Sequence, residues 1–390
     1  MKIKQARAAM AHAAFCGVAH KHLGELIEEL APRWEARCES ARHKRRRAAR
    51  RRQTGAGPKH ELVFTYRRLA TLVHLRTGLT HEALGVIYEV GSSTIGRAIS
   101  EIRPLLAGRG FAIPDRPGLR LHTLGDVFAY AAAENIVLRI DGTETQVRRP
   151  RANRPGRPAF VSGKRRQNTI KTTTISDHQG RTLWSGAMRP GRIHDQTCVR
   201  TEGIAEPFRL QPSVKAEVDE GYRGLANEFP DQVSAPPRNP KHFDEAPLTE
   251  RYGWREQRRR QSSRRICVEH ANAEHRQWRT LQRYTGRRED YGDTHRAIAG
   301  LVSDRAARRA TRHKLSTELV LVRTTAYWIT HQPNPRGLHG PRSIAGQPVS
   351  PARMQARRLL DTATDELVRL AVKASAYGVY AWFIHWLESR

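Results

Sequence analysis

Two short apolar runs, far apart in the chain, each end in an aspartate and a glycine-containing segment. Ile136–Ile140 leads into Asp141-Gly142-Thr143-Glu144, and Val214–Val218 leads into Asp219-Glu220-Gly221. Runs of Val and Ile favour pleated, buried strands. A carboxylate just past the end of such a strand is held by a rigid scaffold yet open to solvent, which suits a metal-binding residue. A strand followed by an Asx turn would explain either aspartate alone. The repetition of the pattern is what points to chemistry.

The segments around these runs predict a mixed sheet. Leu124–Ala133 has a helical pattern and leads into the Asp141 strand. Residues 142–168 are rich in Arg, Pro and Gly and predict an exposed basic loop. Thr169–Ser176 alternates, residues 177–180 form a turn signal, and residues 181–186 return, which makes a hairpin. Residues 189–195 predict a loop and Gln232–Pro236 a further strand. Residues 250–285 are basic and helical in pattern and contain Glu269, and residues 294–310 predict one more helix. Strand, hairpin, strand and then helix is the element order of an RNase H-like core. The fold class expected is therefore α/β: an RNase H-like mixed sheet flanked by helices, preceded by an all-α helix-turn-helix domain.

Two strand-end aspartates and a helical glutamate, Asp141, Asp219 and Glu269, are a ligand set for a pair of Mg²⁺ ions. Hard cations take oxygen ligands, and two ions about 4 Å apart can activate the attacking oxygen and stabilise the leaving one at phosphorus. Arg265, Glu269, Asn272 and Arg276 fall on one helix face. The arginines would hold Glu269 ionised and grip DNA phosphates; i,i+4 surface pairing is the plainer alternative. His270 and His275 are five apart, hence on different faces, unlike the i,i+4 pair of a zinc protease. Glu144 and Asp195 are rival carboxylates without the strand-end setting, although Asp195 could support the site.

Upstream, residues 1–40 read as helix, with Pro32 ending it or starting the next. Arg42–Arg52 is a basic run expected to be a linker able to track a phosphate backbone. From residue 60 to 107 the pattern is helix, Gly78 break, Thr80 cap, short helix, Gly91 turn and a final helix with Ile95, Ile99, Ile102 and Leu106 on one stripe. That is helix-turn-helix grammar. Ser93, Thr94 and Arg97 would begin the recognition helix and reach base edges; an ordinary three-helix bundle has the same stripe.

Charge favours the DNA-binding alternative. The 390 residues carry 69 Lys+Arg against 38 Asp+Glu, a net +31, which calls for a polyanionic partner. An anionic membrane is the rival partner, but it usually calls for an amphipathic or lipidated segment; no run approaches the ~20 apolar residues of a membrane span, and His12 with no convincing cleavage site argues against a signal peptide. The four cysteines, Cys16, Cys38, Cys198 and Cys267, form no CxxC pair, so neither a zinc ribbon nor a disulfide framework is indicated, and a cytoplasmic setting fits.

With these residues in view, the chain resembles bacterial insertion-sequence transposases with an RNase H-like DDE domain, of the insertion-sequence-five and Harbinger-related type. The residues that carry the resemblance are Asp141-Gly-Thr-Glu, Asn168 with Lys171, Pro190-Gly-Arg-Ile-His-Asp195, Val218-Asp-Glu-Gly-Tyr-Arg-Gly224, and Arg265-Ile-Cys-Val-Glu269 followed by Arg276. Ser262 stands where that family's glutamate signature often has Tyr, and Arg276 where it has Lys.

The resemblance implies that Asp141, Asp219 and Glu269 form the DDE triad binding two Mg²⁺ or Mn²⁺ ions, with Lys171, Arg265 and Arg276 on DNA. It implies a transposase that binds terminal inverted repeats, hydrolyses the transposon ends and joins the 3′-OH to target DNA. Partners would be the DNA ends, the target and further copies of the chain in a synaptic complex, associated with a bacterial nucleoid. The domains expected are 1–58 (helices and basic linker), 59–110 (helix-turn-helix), 120–310 (catalytic) and a tail, 311–390, with an amphipathic stretch at Arg353–Leu370 and an aromatic one at Ala376–Leu387. A decayed or regulatory DNA-binding copy, and a structure-directed metal-dependent nuclease, are the alternatives.

Overall fold

Helical periodicity dominates the first hundred residues, and the computed structural model has helices there: α1 (Ile3–Met10), α2 (Ala13–Cys16), α3 (His20–Arg46), α4 (Phe64–Thr77), α5 (His81–Tyr88) and α6 (Ser92–Ala107). It describes residues 3–46, 60–114, 116–150, 156–240 and 242–309. The end of the basic run at Arg42–Arg52 and the stretches in 311–390 lie outside them. Helix α3 runs through Pro32 instead of ending there. Leu26 and Leu30 before the proline and Trp34 after it are all buried. That shared packing face outweighs the single missing hydrogen bond.

The helix-turn-helix forms as its sequence signals predict. Gly78 closes α4 in the left-handed region at φ 73°, where a β-carbon would be strained. The Thr80 hydroxyl accepts from the Ala83 N–H at 3.2 Å and caps α5. Helix α6 starts at Ser92, with Gly91 as its cap.

A two-stranded ribbon, β1 (Phe111–Ala112) and β2 (Arg120–Leu121), leads into α7 (Leu124–Ala133), whose Thr123 and Asp126 form a reciprocal capping box. The remaining elements are β3 (Leu138–Val147), β4 (Thr169–Ser176), β5 (Thr182–Ser185), β6 (Arg189–Pro190), α8 (Asp195–Glu202), α9 (Ala205–Leu210), β7 (Ala216–Val218), α10 (Arg223–Glu228), β8 (Val233–Ser234), α11 (Leu248–Arg276), α12 (Arg279–Gln282), β9 (Arg283–Tyr284) and α13 (Tyr291–Ala307).

The sheet order is β5-β4-β3-β7-β8, with β6 on β4 and β9 on β3. The β3–β4–β5 meander is antiparallel, and β7 and β8 join parallel to β3. That is RNase H-like topology: a three-strand meander whose first strand is extended by parallel crossovers.

Strand β3 does not end at Asp141. Its pairing with β4 runs from Arg139↔Ser176 to Gln146↔Thr169, so Gly142, Thr143 and Glu144 are strand residues, and residues 142–147 of the expected loop are sheet. What ends near Asp141 is the parallel neighbour, whose last pair is Ile140↔Val218. Asp141 and Asp219 therefore stand side by side where β7 stops, the place in a parallel sheet where ligand sites form.

Two apolar cores flank the sheet. One face packs Phe128, Phe208, Leu138, Ile140, Val218 and Leu225, with Phe128 and Phe208 edge to face at 4.7 Å. The other is continuous with the N-terminal bundle: Leu26, Leu30, Leu72, Ile95 and Ile102 share a cluster with Ile298, Leu301 and Trp278. Helix α13 is buried nearly all round, its polar Thr294, His295, Ser303 and Asp304 included, between the bundle and the sheet. Its Asp304, 2% exposed, meets His22 at 3.0 Å, Arg109 at 2.5 Å and Arg120 at 2.9 Å, tying α3, the end of α6 and β2 to the sheet domain.

Candidate active site

Asp141 lies mid-strand, its side chain 19% exposed. Its Oδ1 accepts from the Gly142 N–H at 2.9 Å, and its Oδ2 accepts from Asn272 Nδ2 on α11 at 2.8 Å. Asp219, 45% exposed, follows β7 and accepts from the Glu220 N–H at 2.7 Å. Between the two sits the Arg265 guanidinium, 3.0 Å from Asp219 Oδ1 and 3.6 Å from Asp141 Oδ1. Burial pushes Asp141 up to about 6; Arg265 draws it down, while Asp219 and Asp195 push it up.

Glu269 is one turn along α11 from Arg265, exposed, and lines with Asp219 and Arg265 a cavity of about 420 Å³. Arg265, expected to flank Glu269 and to grip DNA, is turned instead onto the two aspartates and is 12% exposed. Among the described residues no group of three or more His, Cys, Asp or Glu stands together as a metal cage. Asp141 and Asp219 are thus brought onto a common cation, and Glu269 faces the same cavity without joining them.

Asp195, at the start of α8, lies closer to the aspartates than its loop-like sequence suggested. Lys171 Nζ donates to Asp195 Oδ1 at 2.7 Å and to Ile193 O at 2.9 Å, and stands 3.8 Å from Glu144. Lys171 is 8% exposed and its ammonium is engaged by these carboxylates. A β-carbon on Gly142 would lie 3.2 Å from Asp195 Oδ1 and 2.9 Å from Tyr222 Oη, so only glycine leaves room for both beside Asp141. Asn272 and Tyr222 are the residues that sequence reasoning missed as site members. Asn272 shares the Glu269 face at a spacing of three, and Tyr222 lies in the Asp219-Glu-Gly-Tyr segment without being singled out there.

On the recognition helix Ser93 and Arg97 are exposed. Thr94 is only 8% exposed, and its Oγ1 accepts from the Arg97 guanidinium at 3.5 Å. Arg276 is exposed at the end of α11. His275 is fully enclosed, bonded to Thr182 at 3.1 Å and pushed down to about 4 by burial, which makes it a neutral structural residue.

An RNase H-like sheet with acidic residues at its parallel edge, joined to a helix-turn-helix, defines a nuclease-type domain with a DNA-reading module. The DDE superfamily endonuclease model matches residues 140–303, and the model for the helix-turn-helix of DDE superfamily endonuclease matches residues 60–112. The chain is of the DDE transposase type. No curated protein matches its sequence. Similar solved structures include the Mos1 mariner paired-end complex with Mn (11% identity) and a pre-cleavage Mos1 transpososome (12% identity). Each covers 70% of this chain and 98% of that chain at a TM-score of 0.16, too loose to bear on function. Among the described residues no helix is long and apolar enough to cross a membrane.

Arg97→Ala is expected to lower the preference for a cognate over a scrambled duplex by about 1–3 kcal/mol per lost base contact, whereas Thr94→Val should leave that preference unchanged. Paired anisotropy titrations of the two duplexes measure both.

Proposed function

We propose that the chain is a DNA transposase of the insertion-sequence-five and Harbinger-related type. On this reading residues 59–110 bind the terminal inverted repeats. Residues 120–310 cleave the DNA ends and join the 3′-OH to target, with Asp141, Asp219 and Glu269 as the triad for two Mg²⁺ or Mn²⁺ ions. Two ends must be cut and joined together, so the acting form is at least a dimer, and bacterial cytoplasm is the expected setting.

The supporting observation is that Asp141 and Asp219, distant in sequence, converge on one cation where β7 stops, with Glu269 on the adjoining cavity. A divalent ion fits there by donor chemistry: carboxylate oxygens are hard ligands, and the place already draws positive charge. Asp141 and Asp219 would hold it, with Glu269 the nearest further donor. Bound there, such an ion supplies Lewis acidity toward a scissile phosphate. The chain's own contributions are orientation and charge balance. Asn272 fixes the Asp141 carboxylate plane, and Lys171 balances Asp195, so that Asp195 does not add an unpaired charge beside Asp141. Arg265 balances the aspartates and must turn outward before an ion shares them.

The test is cleavage of a supercoiled plasmid carrying the element's two ends with Mg²⁺, comparing wild type with Glu269→Gln. Metal-dependent end cuts lost in the variant support the reading; equal cutting by both proteins sinks the triad. A second reading, a DNA-binding protein without cleavage, is favoured by Arg265 bridging the aspartates. End binding without cuts in either protein would establish that reading instead.

A further inference from the structure

We infer that the end-binding surface is composite: duplex DNA read by α6 is gripped across a cleft by Arg279, Arg283 and Arg287 of the sheet domain. This rests on the DNA-binding reading above and adds a surface that the helix-turn-helix alone does not supply.

Ser93, Gly96, Arg97 and Ser100 lie at i, i+3, i+4 and i+7 on α6 and form one stripe. Ser93, Arg97 and Ser100 are exposed, and Gly96 is half-buried. Gly96 and Ser100 of that stripe line a cleft of about 750 Å³, whose opposite wall is Arg279, Arg283 and Arg287. All three arginines are exposed, and none makes an ion pair with a described carboxylate. The cleft's other arginine, Arg103, is balanced by Asp290 at 2.6 Å. Glu82, at the start of α5, is the remaining wall carboxylate. Among the described residues, the wall therefore presents three guanidiniums without a carboxylate partner to the space in front of the recognition helix.

The arginines stand on ordered backbone. The Arg279 stem lies over the α4–α5 turn, its Cγ 3.0 Å from where a β-carbon on Gly78 would stand. Arg283 is on β9, paired to the far end of β3 at Gln146. The turn to Arg287 is closed by Tyr284 Oη, which donates to Arg287 O at 2.8 Å. Guanidiniums clustered beside a base-reading helix suit the phosphates of a duplex whose groove that helix enters. The chemistry is sequence-independent, so it adds affinity and register and leaves base preference to α6.

The test is anisotropy titration of the full chain, over a range of KCl, with an end-sequence duplex, a scrambled duplex and the single strand. Arg279→Gln/Arg283→Gln/Arg287→Gln keeps the Arg279 stem on Gly78 and is checked for an unchanged melting curve. Each phosphate contact contributes about 0.9 to the slope of log K against log salt. The expected result is a duplex slope shallower by up to about 2.7, with the ratio of end-sequence to scrambled affinity unchanged. An unchanged slope in the triple variant, while wild type binds the duplex, overturns the composite surface and leaves the DNA-binding reading standing. An equal slope loss on the single strand overturns the duplex assignment. Absence of duplex binding by wild type overturns both readings.

Discussion

Asp141→Asn is expected to lower metal-dependent cleavage of end DNA by at least about a thousandfold, ~4 kcal/mol of barrier at 1.36 kcal/mol per decade, with end binding retained. The substitution is nearly isosteric, so the strand pairing on both sides of residue 141 should survive. What changes is charge and polarity at two contacts. Asp141 Oδ2 now accepts from Asn272 Nδ2, and Oδ1 faces Arg265 and the Gly142 N–H. A carboxamide can keep only one of those sides as an acceptor. If its oxygen stays on Asn272, its amide hydrogens confront the guanidinium and the backbone donor. Either way the pair of aspartates loses the charge that attracts a cation. On the proposed reading binding is carried by α6 and by Arg279, Arg283 and Arg287, away from Asp141, so anisotropy with the end duplex should be within a few-fold of wild type. Retained cleavage would remove Asp141 from the triad, whereas loss of both cleavage and binding would indicate a folding defect, which a melting curve would reveal.

The structure also explains which parts of this arrangement were legible in the sequence. Helix α7 and strand β4 fall at the residues predicted because their signals are local: a capping threonine with an apolar stripe, and an alternating Thr/Ile run. The helix-turn-helix was legible for the same reason, its breaks being written in Gly78 and Thr80. Strand β3 past Asp141 was not. Gly142, Thr143 and Glu144 look like a turn, but β4 supplies a partner for each, and pairing overrides intrinsic preference. The side chains whose burial and partners were not legible share one cause. Thr94 and Lys171 are polar and were assigned to DNA. Their burial depends on residues far away in sequence: the bundle packed under α6, and Asp195 and Glu144 around the ammonium. Arg265 is the most instructive of them. Helical spacing placed it beside Glu269, but long-range geometry offered it two aspartates, which satisfy a guanidinium better than one exposed glutamate does.

Asp304→Ala is expected to destabilise the folded unit by about 3–5 kcal/mol, because removing one member of a buried ionic cluster leaves the others uncompensated. Arg109, 3% exposed, would keep only Glu29, and His22, also 3% exposed, would lose its carboxylate partner. The loss falls on the junction between the N-terminal helices and the sheet domain, which α13 bridges. Unfolding in urea should therefore show a lower midpoint, and limited proteolysis should open the segment between α6 and α7 early. The same cluster sets an acid dependence. His22 and the two arginines hold the Asp304 carboxyl well below the usual carboxylate range, against the effect of burial. A carboxylate whose folded value is depressed contributes stability that is fully present above its unfolded value, near ~4, and is lost as pH falls toward the folded value. Wild type should thus lose stability below about pH 4 more steeply than Asp304→Asn, which has no proton to take up. Parallel acid dependences in the two proteins would mean that the cluster is not charged in the folded state, and with it would go the account of how the helix-turn-helix is fastened to the sheet domain.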